Sequence, residues 1–289
     1  MCAMMQKLRS SSGGVAAGAM RWAWAALGIG DTCSLGFAGS DWHHRPMPTP
    51  DPRAVRPATA LLDRLADVQD AFAALLDTAD PDAPVAACAP WTVTDLALHL
   101  GGVHRWAAAM ARGVDRDDQD PVEPRDPVAL RAFYREQAAA LRGTLHAIGP
   151  DAPAITLDGP GPASFWHRRQ VHETLVHLHD LADALDVPHP VDDPALWADT
   201  VDEVLTVMAP RQVRLGRIAA VERPVRIAAT DAGRSWVLGG GDAASAEVAG
   251  DARTLALLLW GRTGADDPAL TVTGPRADLD AALARALTP

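Results

Sequence analysis

Residues 167–185 read HRRQVHETLVHLHDLADAL, and residues 91–102 read WTVTDLALHLGG. In the first stretch Glu173 and His177 stand four positions apart, so on a helix they stack one turn apart on a single face. Val171, Leu175, Leu178, Ala182 and Leu185 form an apolar stripe on the same helix. Glu173, His177 and Asp180 fall within about 60° of one another on the other side. A polar face opposite an apolar stripe is ordinarily just a wet face. Here Trp166, Val176, Leu181 and Ala184 share or flank it. That mixture predicts a helix covered on both sides, in which a carboxylate and an imidazole need partners.

The second stretch supplies His99, which shares a helix face with Leu96, Val103, Trp106 and Met110. A lone inward histidine is commonly a hydrogen-bonded core residue. Opposite an E-x₃-H helix it also completes a His₂Glu set, the ligand arithmetic of a catalytic zinc site with an open position. Gly101 and Gly102 follow directly and cost about 1 kcal/mol each in a helix interior. They predict that backbone or ligand comes close at that level.

Working outward, residues 58–79 repeat apolar positions at Leu61, Leu65, Val68, Phe72, Leu75 and Leu76, a helical stripe broken by Asp80-Pro81. A second helix opens at Thr92 or Thr94 and stops near Gly113. A third covers 127–148, and the key helix spans about 164–186 after a Gly- and Pro-rich turn or short hairpin. Four helices of this length with modest connections predict an antiparallel four-helix bundle. A fifth helix, near 194–209, leads out of it. After Arg217 the pattern changes. RPVRIAATDAGRSWVLGGG (223–241) reads as two strands around a turn, 251–261 as a helix, ALTVTG (269–274) as a strand and 276–287 as a closing helix. The fold class is therefore two-domain α+β. The expected bundle occupies 57–215 and the small α+β domain 220–289. Residues 1–56 read as a disordered, dispensable extension: GGVAAGAMRWAWAALGIG (13–30) is interrupted by Arg21, lacks a small-residue cleavage site and is too broken to span a bilayer.

Composition narrows the function. With 48% hydrophobic residues a core is available, and a net charge of −11 argues against a nucleic-acid partner. The three cysteines, Cys2, Cys33 and Cys88, are too widely spaced for a disulfide framework or a Cys-based zinc site, which suits a reducing cytoplasm. The expected protein binds no membrane and is a monomer or small homo-oligomer.

The pattern W-T-x-x-D-L-x-x-H-L (91–100), followed by R-x-x-H-E-x-x-x-H-x-x-D (169–180), resembles the mycothiol-dependent maleylpyruvate isomerase family, part of the wider DinB-like metal-binding bundles. The resemblance covers about 58–289 and includes LLLWGRTG (257–264) in the smaller domain. It implies that His99, Glu173 and His177 are the metal ligands, with Zn²⁺ as the expected ion and mycothiol as thiol cosubstrate. It implies a catalytic role for Arg262 at the Gly-Arg step. The activity implied is isomerisation or S-transfer on a small, carboxylate-bearing substrate. No protein nucleophile is evident: Cys88 lies outside both motifs and reads as a small buried residue. The same triad also suits a metal-binding sensor or scaffold without turnover, or a hydrolase using metal-bound water. Asp180, at i+3 from His177, reads either as a support for that ligand or as a surface residue. His172 and His179 read as structural or exposed, His104 as approaching the site only at second hand, and Arg168 and Arg169 as a solvated first turn or as contacts for a substrate carboxylate.

Overall fold

A computed structural model of the chain describes residues 58–114, 124–241 and 243–289. The expected extension over 1–56, and most of the loop after the second helix, lie outside these residues. Four long helices come first: α1 (Ala58–Thr78), α2 (Val93–Ala111), α3 (Pro127–Ile148) and α4 (Ser164–Ala184). Between α3 and α4 runs a two-stranded antiparallel hairpin, β1 (Pro153–Thr156) and β2 (Gly159–Pro162). Local chemistry sets the starts. Thr92 and Asp95 form a capping box at α2, and Asp126 caps α3 ahead of Pro127 at its first turn. The packing closes a ring, with α1 against α3 and α4, and α2 against α3 and α4.

α4 lies at the centre of the fold. Val171, Leu175, Val176, Leu178 and Leu181 are fully buried, and so are His172 and Thr174 on its other sides. The sequence expectation of a helix covered all round holds, and the cover comes from two directions. One side meets α1 and α2. The other meets α5 (Pro194–Glu203) through Arg168, Arg169 and His172, and from α5 the chain continues into a π-helical segment (Val204–Met208) and α6 (Ala209–Arg214). The π segment precedes Pro210, whose ring nitrogen donates no hydrogen bond, and the Ala209 N–H reaches back to the Val204 carbonyl instead.

The remaining sheet has the order β4-β3-β5-β6, built from β3 (Val225–Ala229), β4 (Arg234–Leu238), β5 (Ala246–Gly250) and β6 (Thr271–Thr273). β3 pairs antiparallel with β4 and parallel with β5, whose partner β6 is again antiparallel. The parallel strand β5 is absent from the sequence reading; its run AEVAG is short and rich in Ala and Gly, a weak strand signal. Val225, Ile227, Ala229, Ala246 and Val248 alternate inward beneath α7 (Ala252–Leu259) and α8 (Arg276–Leu283). α5 packs on α7, so the fifth helix joins the bundle to the α+β unit rather than merely ending the bundle. One hydrophobic cluster runs from Leu61 to Leu287 through both.

Candidate metal centre and cleft

His99 comes from the middle of α2, and Glu173 and His177 from successive turns of α4. The structure brings the three together. Glu173 Oε1 lies 3.4 Å from His99 Nε2 and 3.3 Å from His177 Nε2. A tetrahedral ion with bonds of about 2.1 Å separates its ligand atoms by about 3.4 Å. Both distances from Glu173 Oε1 thus match an edge of such a tetrahedron, and all three donor atoms lie within 4.8 Å of one another. His99 Nε2 is buried with no hydrogen-bond partner, the state expected of an imidazole nitrogen reserved for an ion. The indole of Trp91 packs on the same ring, with centroids 4.9 Å apart, and fixes its plane.

The surroundings orient each donor. Asp180 Oδ2 lies 2.8 Å from His177 Nδ1, so the proton sits on Nδ1 and the Nε2 lone pair faces Glu173. Glu173 Oε2 is taken by the Arg169 guanidinium, leaving Oε1 for the two imidazoles. Arg169 is held in turn by Glu203 at the end of α5. Burial opposes ionisation of Glu173, but Arg169 and the two histidines outweigh it and hold the carboxyl well below the usual range. Burial also works against protonated His177; the hydrogen bonds to Asp180 and Glu173 prevail and raise its pKa. For His99 burial wins, and its pKa falls below the ordinary imidazole value.

Arg262, just past α7, donates Nε to Asp180 Oδ1 at 2.9 Å and Nη2 to Oδ2 at 2.8 Å, a bidentate pair. The smaller domain therefore grips the carboxylate that orients His177. Cys88 is more than a small buried residue: its Sγ lies 3.5 Å from Asp180 Oδ2 and 3.4 Å from Arg262 Nη2. Cys88, His177 and Asp180 form a second cluster with metal-ligand chemistry, but the Arg262 guanidinium already supplies its positive charge.

Other sequence expectations resolve differently. Arg168 and Arg169 are no solvated first turn. Arg168 donates to Asp199 and Asp202, and Arg169 is buried against Glu173 and Glu203. His172 is structural, bonded to Asp199 and Thr200. His104 turns away from the donors and lies between Gln170 and Gln69. Gly101 does not make room for a ligand: an added Cβ there would come within 2.5 Å of Phe133 Cε1, so its smallness serves the packing of α2 on α3. Glu203 and Cys88 escaped sequence reasoning. Arg169 carried a readable signal, four residues before Glu173.

The donors open on a cleft between the helical and α+β units, walled by Trp91, Trp106, Trp166 and Trp260, with Leu157 and Met208. Among the described residues no helix is long and apolar enough to cross a membrane.

Comparison with known proteins follows the same two-part layout. The family model described as the mycothiol maleylpyruvate isomerase N-terminal domain matches residues 62–182, and the MDMPI C-terminal domain matches residues 195–281. The second match opens on α5. No curated protein matches the chain. A crystal structure of the mycothiol-dependent maleylpyruvate isomerase is similar with a TM-score of 0.55 at 14% identity, over 75% of this chain and 93% of that one. The structure of a histidine-to-alanine mutant of that isomerase gives 0.56 at 15% identity with the same coverage. At these identities the likeness is one of fold.

Proposed function

The chain belongs to the mycothiol-dependent maleylpyruvate isomerase family, and from that premise we propose that it is a metalloenzyme using a low-molecular-weight thiol, mycothiol, for isomerisation or S-transfer on a small unsaturated substrate. The observation that carries this reading is the trio of donor atoms around Glu173 Oε1, with the unpartnered His99 Nε2 among them. His99, Glu173 and His177 would hold the ion, and a His₂Glu set suits Zn²⁺. When bound, a divalent cation lowers the pKa of a thiol and supplies a thiolate nucleophile at neutral pH.

The chain's own residues do the rest. Glu173, Glu203 and Asp180 carry three negative charges and Arg169 and Arg262 two positive ones. That balance is one net negative charge, which a dication turns into one net positive charge, favouring an anionic sulfur. Asp180 keeps His177 in the Nδ1-protonated tautomer. Arg262, lining the same polar end, would stabilise an enolate. The indole walls exclude water from the nucleophile. A binding module without turnover has no need of a cleft shared by two domains, and the lining by both Trp91 and Trp260 favours an enzyme.

Cobalt-substituted protein titrated with mycothiol tests the reading. A thiolate–cobalt absorption band is expected, and it should vanish in His99→Ala together with the metal. Arg262→Lys should keep the band but lose most thiol-dependent turnover, because a point charge cannot reproduce the bidentate fork. An unaltered spectrum on adding thiol would sink the proposal.

A further inference from the structure

The cleft is divided. One end carries the donor atoms, Arg169 and Arg262; the rest is indole, Leu157 and Met208. Both guanidiniums among the described lining residues are already engaged. Arg262 grips Asp180 through two hydrogen bonds, and Arg169 bridges Glu173 and Glu203. A small dicarboxylate would bring two more negative charges to this end and leave one of them against apolar walls, where an unpaired charge costs several kcal/mol. Trp260 Nε1 is buried with no hydrogen-bond partner, on a side chain only 8% exposed. The Trp260 ring lies 5.4 Å from the Arg169 guanidinium and 5.9 Å from that of Arg262, at the boundary between the polar and apolar parts.

On the thiol-using reading above, we infer that the second substrate is an uncharged aryl or similarly apolar α,β-unsaturated carbonyl compound, whose carbonyl oxygen accepts from Trp260 Nε1 and whose apolar body lies against the tryptophan wall. It departs from the carboxylate-bearing substrate expected from the sequence. The reaction is conjugate addition. The thiol sulfur bonds to the β-carbon as the C=C π bond breaks, and the proton lost from sulfur ends on the α-carbon. Nothing is oxidised or reduced, and the product is a thioether.

Two measurements test it on the full chain. Calorimetric titration of metal-free protein with 4-phenylbutan-2-one, an unreactive saturated analogue, should give a Kd at least tenfold below that for maleate. Trp260→Phe, which keeps the ring and removes the N–H, should erase most of that difference. Zinc-loaded protein with mycothiol should consume trans-4-phenylbut-3-en-2-one with a kcat/KM at least tenfold above that for maleylpyruvate, yielding the thioether by mass. Tighter binding of maleate, faster turnover of maleylpyruvate, or a Trp260→Phe variant that binds the ketone as the parent does would each overturn the inference while leaving the thiol reading intact. Absence of the cobalt–thiolate band removes both.

Discussion

At the residue scale, two side chains four apart on α4 and one histidine on α2 were enough to mark the candidate centre, because ligand spacing on a helix is a local property. Glu203 and Cys88 were not legible, since nothing near them in sequence announces that α5 and the turn before Trp91 fold onto the same site. His104 shows how a buried imidazole away from the donors shapes stability. Its Nδ1 lies 2.9 Å from Gln170 Oε1 and its Nε2 3.1 Å from Gln69 Nε2, while Gln69 Oε1 is occupied by Arg142. The neutral Nδ1-protonated form satisfies every partner; a second proton would set Nε2–H against the Gln69 amide donor. Burial accordingly lowers its pKa to about 4. A histidine depressed in the folded state binds its proton more readily unfolded, so its stabilisation is complete above about pH 6.5 and is lost as pH falls toward 4. Between pH 6.5 and 5 that loss should be about 1–2 kcal/mol. Urea unfolding at the two pH values measures it. His104→Gln should show a smaller difference; an equal one would assign the acid sensitivity elsewhere.

At the scale of elements, the helices and their ends were readable because caps and breakers are local: Thr92 with Asp95, Asp126 with Pro127, Asp251 before α7. β5 was not, since a parallel strand owes its existence to β3, some twenty residues earlier in the chain. Gly101 is instructive for the opposite reason. Its presence in α2 was visible, but its cause was misassigned, because a glycine forced by a neighbouring helix and one forced by a ligand look alike in sequence. The Phe133 ring edge occupies the place of its missing Cβ. Gly101→Ala should therefore destabilise by about 1–2 kcal/mol, an overpacking loss partly offset by better helix propensity. Trimming the obstacle in a Gly101→Ala, Phe133→Leu double variant should cost less than the two single changes added together. Strict additivity in thermal or urea unfolding would place the cause of this glycine elsewhere.

At the scale of the whole molecule, the two units share polar contacts that neither can satisfy alone. Asp180 of the bundle is fully buried at its side chain and is held by His177 and by Arg262 from beyond α7. Asp202 on α5 accepts from Arg168 of α4 and from Arg234 and Trp236 of β4. The sequence suggested a boundary near residue 216; the contacts argue that chemistry crosses it. Removing one partner of a buried charge pair costs about 3–5 kcal/mol, a large share of the 5–15 kcal/mol that holds a typical domain together. A fragment of residues 57–215 loses Arg262 and leaves the Asp180 carboxylate facing only His177 and the weakly donating Cys88 thiol. Its urea midpoint should fall far below that of the full chain. The charge can be separated from the lost apolar cover by Asp180→Asn, which keeps the shape and removes the ionised group. In the full chain that change should destabilise, because Arg262 then lacks its anion; in the fragment it should stabilise, because the uncompensated carboxylate is gone. The opposite signs are the signature of a carboxylate whose place in the bundle depends on the other domain. Destabilisation of the same size in both backgrounds would mean that His177 and Cys88 sustain Asp180 and that the bundle stands without its partner.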